Sequence, residues 1–268
     1  MKRHSPSSWQ RLSEDPSFAS DGSQPSLAHG VTPAPDADCA DWVAPRVRRS
    51  PKGITVVGSI IPVGFPSYAR VFHPAYRTGP VDSGSQSVSW QAVAAWSGRI
   101  AHRLMQWETI ADPVPEAPVK RPWDEEPIAG RIPSEAQAAL VDVLERHTTQ
   151  TNCCVCIWTG TPGVAETLEG VPELALPLRS YALLRAPLNV VRSGALFNGP
   201  PLERVGLGLW WPNDLAWCVA TDVDLRFTYV GGSTECISEL IASEHLEAMR
   251  ASVEDRADSL SDTLNIAR

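Results

Sequence analysis

Tyr68, Arg70 and His73 stand close together in Tyr68-Ala69-Arg70-Val71-Phe72-His73-Pro74 and form a compact polar set. An imidazole is the side chain best suited to take a proton near neutral pH, so His73 is a candidate general base. A small hydrolase built on it would also need a carboxylate, and Asp214 is the acid considered for that part. No Gly-x-Ser-x-Gly elbow accompanies the pair, so the pattern supplies no nucleophile. A strand edge with one hydrogen-bonded histidine explains the set as well.

Other groupings offer chemistry and fall short of it. Asp222 and Asp224 are two residues apart, roughly 7 Å along a strand, a spacing compatible with acid–base work on a glycoside. A solvated strand face accounts for both. His147, Cys153, Cys154 and Cys156 have metal-ligand side chains, but a structural zinc site needs spaced pairs that converge. Adjacent Cys153 and Cys154 would point to opposite faces of a strand, so no metal and no cofactor are expected. Gly231-Gly232-Ser233 could offer backbone N–H groups to an anion, yet it lacks a phosphate-loop lysine. Ser233 as the cap of a helix explains that triplet.

Tryptophan gives the remaining functional signal. Three of the ten tryptophans, Trp210, Trp211 and Trp217, surround one Pro212-Asn213-Asp214 turn. An indole combines a large apolar surface with one donor, which suits a ligand or partner groove. Neighbours on a strand face opposite ways, so one of Trp210 and Trp211 is expected in the core and the other partly exposed.

These residues have to be positioned by strands. From Trp217 to Tyr229 the odd positions read Trp, Val, Thr, Val, Leu, Phe, Tyr, which signals β-structure with one buried face and one wet face. The run is too long for one strand and is expected to bend near Asp222 or Asp224. Further strands are read at Ile54–Ile61, Tyr68–Phe72, Cys153–Thr159, Tyr181–Arg185 and Gly206–Trp211. Helices are read after Ser89 up to Gly98, through Ile100, Leu104 and Trp107, after a Ser134/Gln137 capping box, and after Ser233. The order implies an α+β fold: an antiparallel or mixed sheet packed with two to four helices in one domain.

That domain is expected over residues 53–250, with 111–133 as a proline-rich loop or connector. Residues 1–52 are rich in Ser, Pro and Asp and read as a disordered tail, and residues 251–268 as a polar C-terminal tail. A net charge of −8 argues against a nucleic-acid partner. No apolar run reaches the roughly 18 residues of a membrane span. Six cysteines in 268 residues are too sparse for a disulfide scaffold, so reduced, mostly buried thiols and a cytoplasmic location are expected.

The segments Tyr68–Pro74 and Leu209–Asp224, with Thr228-Tyr229-Val230-Gly231-Gly232-Ser233, resemble those of an uncharacterised family of bacterial proteins. The resemblance covers about Ile54 to Met249 and implies a shared fold and a bacterial cytoplasmic origin, with no activity attached. The reading that results is a soluble, non-enzymatic binding or interaction protein whose partner is another protein. The alternative is the hydrolase that uses His73 with a carboxylate.

Overall fold

The computed structural model describes residues 25–50, 53–79, 84–114, 118 and 120–265. Nine strands form one antiparallel sheet in the order β13 (Ala248–Ala251), β3 (Ser67–Phe72), β12 (Phe227–Gly232), β11 (Cys218–Ala220), β10 (Leu209–Pro212), β6 (Asn152–Trp158), β8 (Ser180–Pro187) and β2 (Thr32–Pro33). β7 (Glu173–Ala175) also pairs with β8. Among the described residues two two-stranded pairs stand apart: β1 (Ser26–Leu27) with the sequence-distant β9 (Phe197–Asn198), and β4 (Ala75–Thr78) with β5 (Ser85–Val88). The α+β order read from the sequence holds. Among the described residues three helices reach eight residues or more: α1 (Trp90–Ser97), α3 (Ser134–Leu144) and α6 (Thr234–Ala242). Single turns α2 (Trp107–Ile110), α4 (Val164–Thr167) and α5 (Leu188–Ser193) accompany them.

The sheet is covered on both faces, which corrects the expectation of one wet face. Trp217, Val219, Val230, Val155 and Ile157 enter one core, closed by α3, α5 and α6. Cys218, Ala220, Phe227, Tyr229, Cys154 and Cys156 enter the other, closed by α1, α2 and the chain around Val43, Val57 and Ile61. The long odd-position pattern does not mark one face. Val219 pairs with Val230 and Ala220 with Tyr229, so an odd residue of β11 shares its face with an even residue of β12. The turn between them changes the phase at Asp222–Arg226, where the bend was expected.

Helix ends follow ordinary capping chemistry. Ser89 Oγ accepts from Ala92 N at 3.1 Å and Gly98 closes α1 with a left-handed φ of 73°. Ser233 Oγ caps α6 by accepting from Cys236 N at 3.1 Å. Ser134 is instead the first helical residue of α3: Pro133 O accepts from Gln137 N at 2.8 Å, and the Gln137 amide donates to Val191 O. No helix spans Ile100 to Trp107; it begins only at Trp107. Ile54–Ile61 is a short 3-10 turn, Val57–Ser59, because Gly58-Ser59 and Pro62 break the β-branched run.

Both tails need correction. Residues 1–24 lie outside the described residues, but 25–50 carry β1, β2 and two 3-10 turns, and Ala40 and Val43 are buried. A disulfide joins Cys39 to Cys154 in the centre of β6, so the expectation of six reduced thiols is wrong. The remaining four, Cys153, Cys156, Cys218 and Cys236, are free and buried. Residues 251–265 are likewise fastened, by polar contacts that leave no apolar stripe to read. Asp262 receives His102 Nε2 at 2.9 Å and Asn265 Nδ2 at 3.0 Å, Gln106 Nε2 donates to Ser261 Oγ at 2.6 Å, and Asp255 pairs with Arg103. Among its described residues the proline-rich 111–133 segment carries no helix or strand, and its Trp123 is buried.

Candidate functional site

Six of the seven residues singled out by the sequence are buried, and the seventh, Asp214, lies exposed in a turn. His73 is fully buried, with Nδ1 at 2.7 Å from Ile128 O and Nε2 at 2.9 Å from Thr228 Oγ1. A carbonyl only accepts, so Nδ1 carries the proton and Nε2 accepts from the Thr228 hydroxyl. Thr228 Oγ1 lies 2.7 Å from Thr221 Oγ1, which completes a closed network. No carboxylate is among the partners of His73, which removes the pairing on which the hydrolase alternative rested.

Burial, reinforced by the charge of Arg226, pulls the His73 pKa down to about 4 against the opposing bond to Ile128 O. The unfolded imidazole titrates near its ordinary value, so on acidification the unfolded chain takes up the proton first. Stability is therefore whole at neutral pH and falls as pH drops through the interval between the two values, by roughly 3 kcal/mol in total. Urea melts of the wild type and His73→Asn between about pH 7 and pH 4 should show a steeper acid loss in the wild type; parallel lines would refute the neutral, buried imidazole.

Tyr68 OH donates to Pro62 O at 3.1 Å and accepts from Phe65 N at 2.9 Å, folding the 62–65 loop onto β3. Arg70 is buried with its guanidinium 3.6 Å from the Phe227 ring centroid and 4.7 Å from that of Phe72. Its Nη1 donates to Arg103 O at 2.8 Å, while Nε and Nη2 have no partner. Burial lowers its pKa to about 10, so it stays charged at neutral pH, held on aromatic faces.

Trp210, Trp211 and Trp217 are all buried, so none of these three indoles lines an exposed groove. With both sheet faces covered, the alternation of Trp210 and Trp211 sends one into each core. Trp210 meets Trp217 edge to face at 5.1 Å, and Trp211 meets Trp42 at 5.4 Å. Asp214 is exposed and holds its turn, accepting from Thr148 Oγ1 at 2.7 Å and from Ala216 N at 3.2 Å. Pro212 is the first residue of that turn, its carbonyl accepting from Leu215 N.

The lesser motifs also resolve into packing. Gly231 lies inside β12, where a Cβ would come within 2.6 Å of Phe65 and 2.8 Å of Tyr68, so the glycine serves close aromatic approach. Desolvation pushes the Cys153 thiol up to about 12, an unreactive state. Among the described residues no three His, Cys, Asp or Glu side chains gather to hold a metal.

Asp222 and Asp224 lead to a site the sequence did not show. Asp222 receives Arg179 in two parallel bonds, Nε to Oδ2 at 3.0 Å and Nη2 to Oδ1 at 2.9 Å, and Nη2 also reaches Asp224 Oδ2 at 2.8 Å. Arg179 stacks 4.9 Å over Trp158. Burial opposes its charge, but the two carboxylates outweigh that and raise its pKa. Both acids are thus committed to a cation.

This clamp joins the Leu176–Arg179 turn, closed by Leu176 N to Arg179 O at 2.9 Å, to the turn after β11. Between the joined turns and residues 48–50 and 53–60 lies a groove of about 770 Å³. Ile54, Ile60, Leu176, Leu178 and Tyr181 line it, with Arg49 and Asp258 among its charged side chains. Leu178 is 78% exposed and Ile54 39%, and both flank this one groove. Gly208 is required beneath it, since a Cβ there would meet the Tyr181 ring at 2.7 Å. A leucine in a proline turn and an isolated arginine carry no pattern in a sequence, which is why the site was not read there.

Compared with protein-family models, characterised proteins and solved structures, the chain matches none of them.

Proposed function

We propose that this chain is a non-enzymatic interaction protein that binds a partner protein in the groove between Ile54 and Leu178. The observation that carries the reading is the exposure of those two large apolar side chains along one groove, whose Leu176–Arg179 turn is tied down by the Arg179 bonds to Asp222 and Asp224. The committed aspartates and the buried, carboxylate-free His73 support binding over reaction. Among the described residues no helix is long and apolar enough to cross a membrane. The Cys39–Cys154 bond supports a working place outside a reducing cytosol, in place of the cytoplasmic one expected from the sequence, because disulfides persist in oxidising compartments.

Affinity capture from the source cells tests the reading when wild type is run beside Ile54→Asp/Leu178→Asp. A partner identified by mass spectrometry should be retained by the wild type, lost by the double variant, and should recapture the wild type reciprocally. Identical partner sets from both baits would sink the proposal.

A further inference from the structure

A second groove, of about 800 Å³, shares no lining residue with the first. Ala248 and Met249 of β13 form part of its wall, and β13 ends the sheet, with β3 on one side and no strand on the other among the described residues. The Arg250 side chain of this strand donates to Ser238 Oγ of α6 at 2.8 Å and to Ser67 Oγ of β3 at 3.4 Å, which holds it on the α6 side. Phe72, Tyr76, Ala139, Ile241 and Leu246 supply an apolar lining.

The formal charges lining it are negative, beside one histidine, His245. Glu135, Asp142, Glu244 and Glu247 line it, and no Lys or Arg does. Asp142 is paired with Arg192, and Glu247 accepts from Trp90 N and Gln91 N at 2.6 and 2.7 Å, capping α1. Glu135 and Glu244 are exposed and have no ion pair among the described residues. Tyr76 is half-buried in the charge field of Glu135. An aromatic face beside a free carboxylate is the pairing that receives a guanidinium or ammonium group.

We propose that this groove docks an extended basic segment of a partner protein, which adds to β13 as a further strand and sets Lys or Arg side chains against Glu135, Glu244 and the Tyr76 ring. Backbone pairing on the edge supplies the register, and side chains of alternate residues meet the acidic wall.

Fluorescence anisotropy tests it with a labelled peptide of about ten residues alternating Lys and Val, against a counterpart alternating Glu and Val. The Lys peptide should bind and the Glu peptide should not. Glu135→Lys/Glu244→Lys should weaken binding by roughly tenfold or more, whereas reversing the exposed Glu166 and Glu169 should change it by no more than about twofold. Glu135→Gln/Glu244→Gln replaces the first pair if that variant fails to fold, with a loss of about threefold expected. Equal losses from both pairs would reduce the effect to the net charge of −8 and overturn the proposal. No binding of the Lys peptide, or equal binding of the Glu peptide, would also overturn it. So would a solution dimer that the Glu135→Lys/Glu244→Lys variant dissolves, since the groove would then belong to a second copy of the chain.

Discussion

Cys39→Ser should lower the free energy of unfolding by about 4 to 5 kcal/mol. The bond closes a loop of 115 residues, and the entropy it removes from the unfolded chain grows with the logarithm of that length. Its native anchor is stiff, because Cys154 sits in β6 between Trp211 of β10 and Arg185 of β8. Its other end carries Trp42 and Val43 onto the second core, so cutting it also loosens the cover over Trp211. Urea melts of wild type and Cys39→Ser measure the difference, with Cys236→Ala as a control that removes a thiol outside the bond. Before melting, the denatured, unreduced wild type should titrate four thiols. Six thiols, or a stability loss under about 1 kcal/mol, would show that the bond does not hold the native state.

The cysteine pairing was unreadable for a physical reason. Cys39 lies in a stretch whose Ser, Pro and Asp content predicts disorder, and a bond over such a distance leaves no local trace. Where structure rests on local patterns, the sequence was legible: Ser89 and Ser233 as caps, Gly98 as a stop, and the strands read at Tyr68–Phe72 and Cys153–Thr159, which form over Ser67–Phe72 and Asn152–Trp158. Residues 251–265 show the opposite case. They are held by carboxylates and amides that complement residues 99–106, and polar complementarity between distant segments has no period to detect.

The site residues were misplaced by one premise, that a sheet with alternating polarity keeps a wet face. Cys218 and Ala220 looked like the outer side of β11 but are small residues under a second layer. Once that layer is present, the indoles, Arg70 and His73 become interior, and the surface that remains for a partner is made by turns. Leu178, Arg179 and Asp224 belong to turns, where residue choice follows neither helical nor strand spacing.

Trp217→Ala should cost about 3 to 5 kcal/mol, more than its removal of apolar area alone would predict. The indole is fully buried at the junction of β11 with α3, edge to face with Trp210, so its loss opens a cavity that two rigid elements cannot close. Its Nε1 donates to Leu144 O at 2.9 Å, the carbonyl at the end of α3, and alanine leaves that acceptor buried without this donor. Trp217→Phe separates the two contributions: it refills most of the space but makes no hydrogen bond, so it should recover more than half of the loss. Trp96→Ala serves as the comparison, because that indole is only half-buried on the outer side of α1 and donates to Lys120 O. Denaturant midpoints should fall in the order wild type, Trp96→Ala, Trp217→Ala. A Trp217→Ala protein as stable as Trp96→Ala would mean that the contact between β11 and α3 does not hold the first core together.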